Sequence, residues 1–252
     1  MESYGEFARV YDTFMEETPY ETWCNSLITF LHEYQIKEGL VLDLGCGSGT
    51  MTELMAQEGY DMIGIDCSRE MLQVAMDKKE ESRADILYLN QDMRSFELYG
   101  TVRAVYSVCD SINYIVDLQE LREVFRLVNN YLETDGMFIC DFNTIYKYEE
   151  VIGNTTIAEN REDCSFIWDN YYDHKTHLNE YDLTLFIREG QLFQRVMETH
   201  YQRGYTIEEV TLQMELAGLE VCKILDADTL GVPVEETQRV YVIAREQGKS
   251  EK

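Results

Sequence analysis

From Leu40 to Asp141, short apolar runs alternate with segments whose apolar positions recur every three or four residues. The runs Leu40–Leu44, Asp61–Ile65, Ile86–Leu89, Ala104–Val108 and Met137–Asp141 are predicted strands, and Thr50–Gln57, Arg69–Lys79 and Leu118–Leu132 the helices between them. Ser68 caps the second of these helices, and Asp117 with Glu120 caps the third. Strands and helices in strict alternation predict an α/β, doubly wound sheet, mostly parallel and covered on both faces. Ahead of it, Tyr4–Met15 is amphipathic, with Phe7, Val10, Tyr11 and Phe14 on one face. Thr18-Pro19-Tyr20-Glu21 reads as a capping box with proline at the first helical position. The helix it starts runs to about Gln35 and buries Trp23, Leu27, Phe30 and Leu31.

After Asp141 the rhythm changes. Residues 145–205 show no helical pattern but many aromatic and β-branched residues, and Tyr181, Leu183, Leu185 and Ile187 alternate with polar neighbours. Glu189-Gly190 supplies a tight turn into Gln191–Tyr201, so three or four antiparallel strands are expected. Thr206 with Glu209 then starts a helix ending at Gly218, and strands follow at Leu219–Leu225 and Arg239–Ala244. The main domain is therefore read as 1–144 plus 206–252, with a seven-stranded sheet. The 145–205 unit is an inserted antiparallel β lid over a substrate, or equally a dimerisation unit of a homodimer.

Composition narrows the partners. The 252 residues hold 21 Lys+Arg against 48 Asp+Glu, a formal charge of −27. Such a surface repels phosphate backbones and anionic lipid, which argues against nucleic acid and membrane partners. Seven scattered cysteines without a Cys-x-x-Cys pair argue against a disulfide framework or a zinc site, and for a reducing cytoplasm. His174 and His177 lie three apart with no third ligand, so no metal is expected. No basic-then-apolar leader opens the chain, and no apolar stretch approaches the ~18 residues of a membrane span. The protein is read as soluble and cytoplasmic.

The most informative stretch is Asp43-Leu44-Gly45-Cys46-Gly47-Ser48-Gly49-Thr50, where a buried strand runs into a loop with glycine at every second position. Three alternating glycines weaken a simple strand–helix turn but let an extended ligand approach the backbone. The spacing is not that of the dinucleotide fingerprint, whose third glycine falls one residue later. Ile63-Gly64-Ile65-Asp66 then ends the second strand with a carboxylate, and Asn90-Gln91-Asp92-Met93 follows the third. An ionised carboxylate only accepts hydrogen bonds, which suits a pair of ribose hydroxyls. Acids at the ends of successive parallel strands describe one crevice.

The form Asp-x-Gly-x-Gly-x-Gly resembles motif I of the class I S-adenosylmethionine-dependent methyltransferases, and the two later acids fit the same family. The resemblance covers about 1–142 and 206–245 and implies a Rossmann-like fold with S-adenosylmethionine as cofactor. It implies that Asp43, Gly45, Cys46, Gly47 and Gly49 surround the methionine half, that Asp66 takes the ribose, and that Asp92 meets the adenine amino group. Cys67, Met71, Gln91 and Met93 would flank the adenosine. Tyr11 and Trp23 would cover the methionine end, though both read equally as core. Cys67 reads otherwise as a packing residue.

After the fourth strand comes Cys109-Asp110-Ser111-Ile112-Asn113-Tyr114, a loop that in the family faces the reacting centre. Cys109 is assigned to the cofactor side. Asp110, Asn113 and Tyr114 are the candidate catalytic groups toward the acceptor, with Asp110–Asn113 equally readable as a hydrogen-bonded turn. From the insert, Trp168, Tyr171, His200 and Arg203 are candidate substrate residues. The expected function is methyl transfer to a small-molecule acceptor, on nitrogen or oxygen, by in-line displacement. The rivals are a cofactor-binding regulatory module without transferase activity, and transfer to RNA or protein.

Overall fold

A computed structural model describes residues 7–249; the expected first helix reaches back to Tyr4, and residues 4–6 lie outside the described residues. The chain builds α1 (Ala8–Phe14), α2 (Tyr20–Glu33), β1 (Leu40–Leu44), α3 (Thr50–Gln57), β2 (Asp61–Asp66), α4 (Arg69–Ser82), β3 (Ile86–Asn90) and β4 (Val102–Ser107). A 3-10 turn, Ser111–Tyr114, precedes α5 (Leu118–Tyr131) and β5 (Leu132–Asn143). After a single π-helical turn, Lys147–Ile152, come β6 (Thr156–Asn160), β7 (Cys164–Asp173), β8 (Leu178–Glu189) and β9 (Leu192–Arg203). The chain closes with α6 (Ile207–Leu216), β10 (Leu219–Asp226) and β11 (Arg239–Glu246).

Seven strands form one sheet in the order β10-β11-β5-β4-β1-β2-β3, and β11 alone among them runs antiparallel to its neighbours. Because the other strands are parallel, their carboxyl ends share one edge of the sheet, and the loops leaving them meet there. Apolar residues cover both faces. Val124, Phe125 and Val128 of α5 and Val210 and Met214 of α6 pack with Phe138, Phe142 and Val240. On the other side Leu27 and Phe30 of α2 and Met51 and Met55 of α3 pack with Val41, Met62 and Ile243.

The expected helix starts hold in three places. Ser68 accepts from Met71 N, Asp117 from the N–H groups of Gln119 and Glu120, and Thr206 forms a reciprocal capping box with Glu209. The fourth differs. Thr18 does not cap α2, because Pro19 adopts ψ 56° outside the helical region and Tyr20 becomes the first helical residue. The Thr18 hydroxyl turns back to Met15 Sδ instead, at 3.7 Å. The insert was also expected to lack helix. The turn 147–152 forms there because Tyr148 and Ile152, four apart, share a small buried cluster with Tyr172.

The second sheet is antiparallel in the order β6-β7-β8-β9. One of its faces is covered by α1: Phe7, Val10 and Phe14 pack on Cys164, Phe166, Leu183, Leu185 and Ile187, with the Phe14 and Phe166 rings 4.8 Å apart. The opposite side of α1 is fixed to the main domain. Asp12 pairs with Lys78 of α4 at 2.7 Å and accepts from the Ser48 hydroxyl at 2.7 Å. A seven-residue helix thus bridges both units.

Asn113 joins the two units from beneath. Fully buried, it donates to the carbonyls of Asn143 (2.9 Å) and Arg203 (2.7 Å) and accepts from Asn143 N (2.9 Å), tying the turn after β4 to the ends of β5 and β9. Truncation would take a hydrogen bond from each of three backbone groups at this junction, so Asn113→Ala should cost roughly 2–4 kcal/mol. Urea denaturation measures it; a loss below about 0.5 kcal/mol would mean the clasp carries no stability.

Candidate active site

A crevice of about 530 Å³ opens at the carboxyl edge of the sheet, lined by the loops after β1, β2, β3 and β4 and by Tyr11 and Tyr20. The glycine loop sets its floor. Gly45 N and Cys46 N both donate to the Ile65 carbonyl, at 2.8 and 2.9 Å, which turns the chain back over β2. Gly47 has φ +52°, and a side chain there would meet nothing within 4 Å: it borders open space. At Gly49 (φ +77°) a Cβ would strike the Tyr88 hydroxyl and the Ala75 Cβ, so this glycine serves close packing and does not line the crevice.

Two carboxylates organise this floor. Asp66 Oδ2 accepts from Gly47 N and Oδ1 from Ser68 N, each at 2.8 Å, so one side chain locks the loops after β1 and β2 together. Burial raises its pKa, opposed by the N–H groups of Ser68, Gly47 and Cys67. Asp43 lies deeper, 2 % exposed, and its Oδ2 accepts from Thr52 Oγ1 (2.7 Å) and Tyr106 Oη (2.9 Å). Burial pushes its carboxyl up to about 7 against those two hydrogen bonds.

Around the far wall, Asp92 is gripped by the Arg94 guanidinium at 2.6 Å, which holds its carboxyl below the ordinary range. Gln91 spends its side chain on both backbone groups of Glu97. Met71, Met93 and Cys67 all line the space, and Cys67 is exposed to it rather than packed in a core.

The loop after β4 is held in an unusual shape. Cys109 and Asp110 are consecutive non-glycine residues with φ of +61° and +52°. Their N–H groups converge on the fully buried Asp141, at 3.1 and 2.8 Å. Arg239 lies 3.8 Å from that carboxylate, with its guanidinium 4.1 Å above the Trp23 ring. Trp23 therefore supports this buried pair and does not line the crevice. Tyr20, edge-on to Trp23, takes the place expected of it.

Of the three groups expected on the acceptor side, Tyr114 alone lines the crevice. Asn113 is consumed by its clasp. Asp110 points toward the insert, where Oδ2 accepts from Gln202 Nε2 at 2.6 Å and Gln202 accepts from the Tyr148 hydroxyl. None of the four expected substrate residues borders the crevice. Arg203 is bound to Glu209 at 2.7 Å and lies over the Tyr205 ring. Tyr171 projects from the outer face of the insert, 55 % exposed, into a separate shallow hollow with Glu180 and Tyr201. Trp168 packs against Tyr181 at 4.9 Å. His200 is 1 % exposed, stacked flat on Tyr181 and in reach of the Tyr114 hydroxyl.

Several residues that matter here were not singled out from sequence. Asp141 is an acid near the carboxyl end of β5, two residues before Asn143, much as Asp66 ends β2, so a similar rule would have found it. Arg239 opens an antiparallel strand almost a hundred residues later, and nothing local marks it.

The comparisons agree with this geometry. A family profile described as a methyltransferase domain matches residues 41–136. A chain named as a methyltransferase from Geobacillus sp. (strain WCH70) is 31% identical over 96% of this chain and 99% of its own length. The YqeM chain of Bacillus subtilis (strain 168), also named as a methyltransferase, is 32% identical over 96% of each. Among solved structures, an S-adenosylmethionine-dependent methyltransferase from Clostridium acetobutylicum superposes with a TM-score of 0.88 at 26% identity, covering 98% of this chain and 100% of that one. The chain belongs to the class I S-adenosylmethionine-dependent methyltransferases. That coverage takes in the insert, which sequence placed outside the shared core.

Asp43 supplies a test of the floor. A carboxyl that binds its proton more tightly when folded stabilises the fold fully below pH ~4, and loses that contribution as pH rises to about 7. The stability of the wild type relative to Asp43→Asn should fall across this window, by at most about 4 kcal/mol. Urea denaturation at several pH values measures it. A difference that stays constant from pH 4 to 8 would mean the carboxyl is ionised throughout.

Proposed function

We propose that this chain binds S-adenosylmethionine in the crevice and transfers its methyl group in line to a nitrogen or oxygen of a small-molecule acceptor. The observation that carries the reading is the floor itself: Gly47 bordering open space beside the Asp66 carboxylate, with Asp43 beneath. These residues fit the cofactor. Asp66 uses one acceptor direction of each oxygen on a backbone N–H and keeps others for a ribose diol. Asp43, a desolvated carboxyl whose ionised form a nearby cation would stabilise, suits an ammonium group, directly or through water. Asp92, steadied by Arg94, offers an acceptor edge to an exocyclic amine, with Met71 and Met93 as apolar walls.

Bound there, S-adenosylmethionine supplies an electrophilic methyl on a positively charged sulfur. The chain's own part is orientation and exclusion of water. Cys109, held in place through Asp141, and Tyr11, Tyr20 and Tyr114 border the end of the crevice next to the glycine loop. A volume of about 530 Å³ suits a nucleoside-sized molecule with a small acceptor rather than a polymer. The charge of −27 favours the same side, since RNA would meet a repulsive surface.

Calorimetry with S-adenosylmethionine, S-adenosylhomocysteine and NAD tests the binding claim. Heat is expected with both sulfur ligands and not with NAD. Asp66→Ala should weaken S-adenosylmethionine by more than about tenfold, the loss of a charge-assisted hydrogen-bonding partner. An unchanged affinity would remove Asp66 from the site. Binding without turnover against any amine or hydroxyl acceptor would favour a cofactor-sensing module.

A further inference from the structure

Behind Tyr114 lies a buried cluster that the floor of the crevice does not use. The Tyr114 hydroxyl is 2.5 Å from the Tyr181 hydroxyl and 3.3 Å from His200 Nδ1. The His200 ring stacks on Tyr181 at 4.9 Å with an interplanar angle of 4°, and meets Tyr114 edge-on at 6.0 Å. On its other side, His200 Nε2 lies 3.3 Å from Glu198 Oε2, whose carboxylate side chain is only 9% exposed. Glu198 Oε1 accepts from the backbone N–H of Phe7, at the start of α1. Carboxylate, imidazole and phenol thus run in sequence from the interior of the insert to the wall of the crevice.

The chemistry of such a row is directional. A carboxylate beside Nε2 favours the tautomer with its proton there, leaving Nδ1 as an acceptor facing the Tyr114 hydroxyl. The same carboxylate stabilises the imidazolium that forms when Nδ1 gains a proton. Facing His200 among the described residues are the Tyr181 phenol from β8, the Tyr114 phenol from the turn after β4 and, on its own strand, Glu198.

We propose that Tyr114, His200 and Glu198 form a proton relay that removes the proton of a protic acceptor, an ammonium or hydroxyl, during methyl transfer. The acceptor X–H gives its proton to Tyr114 Oη while the Tyr114 hydroxyl proton passes to His200 Nδ1. The electron pair of the X–H bond becomes the nucleophile's, and the imidazolium is balanced by Glu198. Tyr114 touches the acceptor; His200 and Glu198 act through it. The relay rests on the methyl-transfer reading and deepens it, because an acceptor arriving unprotonated has no use for it.

The chain has four histidines, so side-chain 15N NMR on labelled protein resolves His200, assigned by its disappearance in His200→Gln. Expected are an Nε2-protonated tautomer whose Nε2 signal shifts in Glu198→Gln and whose Nδ1 signal shifts in Tyr114→Phe. Glu198→Asp, which keeps the charge, should recover most of the wild-type Nε2 shift, whereas misfolding would move the His200 signals of both variants to unfolded-chain positions. S-adenosylmethionine titrated into the wild type and Glu198→Gln should bind with affinities within about threefold. If the wild type fails to bind it, the reading of the crevice falls, whatever the histidine does. If it binds but the His200 ring signals move in neither Glu198→Gln nor Tyr114→Phe, the relay alone is overturned.

Discussion

One carboxylate receiving two backbone N–H groups sets the shape of everything at the sheet edge. Asp66 holds Gly47 from the loop after β1 and Ser68 from the loop after β2, and both bonds are 2.8 Å. Charge-assisted bonds of this length are strong where water is excluded, so the two loops cannot move independently. The parallel pairing of β1 with β2, in which Leu44 stands opposite Ile65, is what brings them within reach. Asp141 repeats the device across the sheet, where it fixes Cys109 and Asp110 in conformations that would otherwise relax. The crevice between these two clamps is held on both sides because each clamp is anchored in a strand paired on both edges.

What could be read in the sequence follows from that arrangement. Parallel strands put their carboxyl ends on one edge, so the glycines after β1 and the acids after β2 and β3 could be located by local pattern alone. Where the outcome depended on distant partners, the sequence could not decide. Trp23 looks like a crevice aromatic until Arg239 arrives over it from β11. Tyr171 and Tyr172 are neighbours of equal promise, yet strand parity sends the first outward and the second in against Tyr148. Arg203 and Asn113 carried polar groups suited to a ligand, but Glu209 and the ends of β5 and β9 had prior use of them. Even a local rule failed at Thr18, where the backbone of Pro19 left the helical region first.

The second sheet is wired into the crevice side of the first by contacts of two kinds. Buried polar contacts tie it to the main domain through Asn113, Gln202 and Tyr148, whereas it meets α1 through an apolar cluster together with the Phe7 N–H to Glu198 bond. Buried polar contacts fix register, since a shifted arrangement would strand their donors and acceptors. The insert is therefore held in register with the sheet, and α1 is packed between them.

That contrast gives α1 two seams of different physical character. Toward α4 it is held by the Asp12–Lys78 ion pair, whose side chains are 40% and 28% exposed; toward the insert it is held mainly by phenylalanine and valine. Added salt screens the first seam and leaves the second, while cooling weakens the second and leaves the first. Tyr11 rides on this helix at the rim of the crevice, so ionic strength and temperature act on its freedom from opposite sides of the same seven residues.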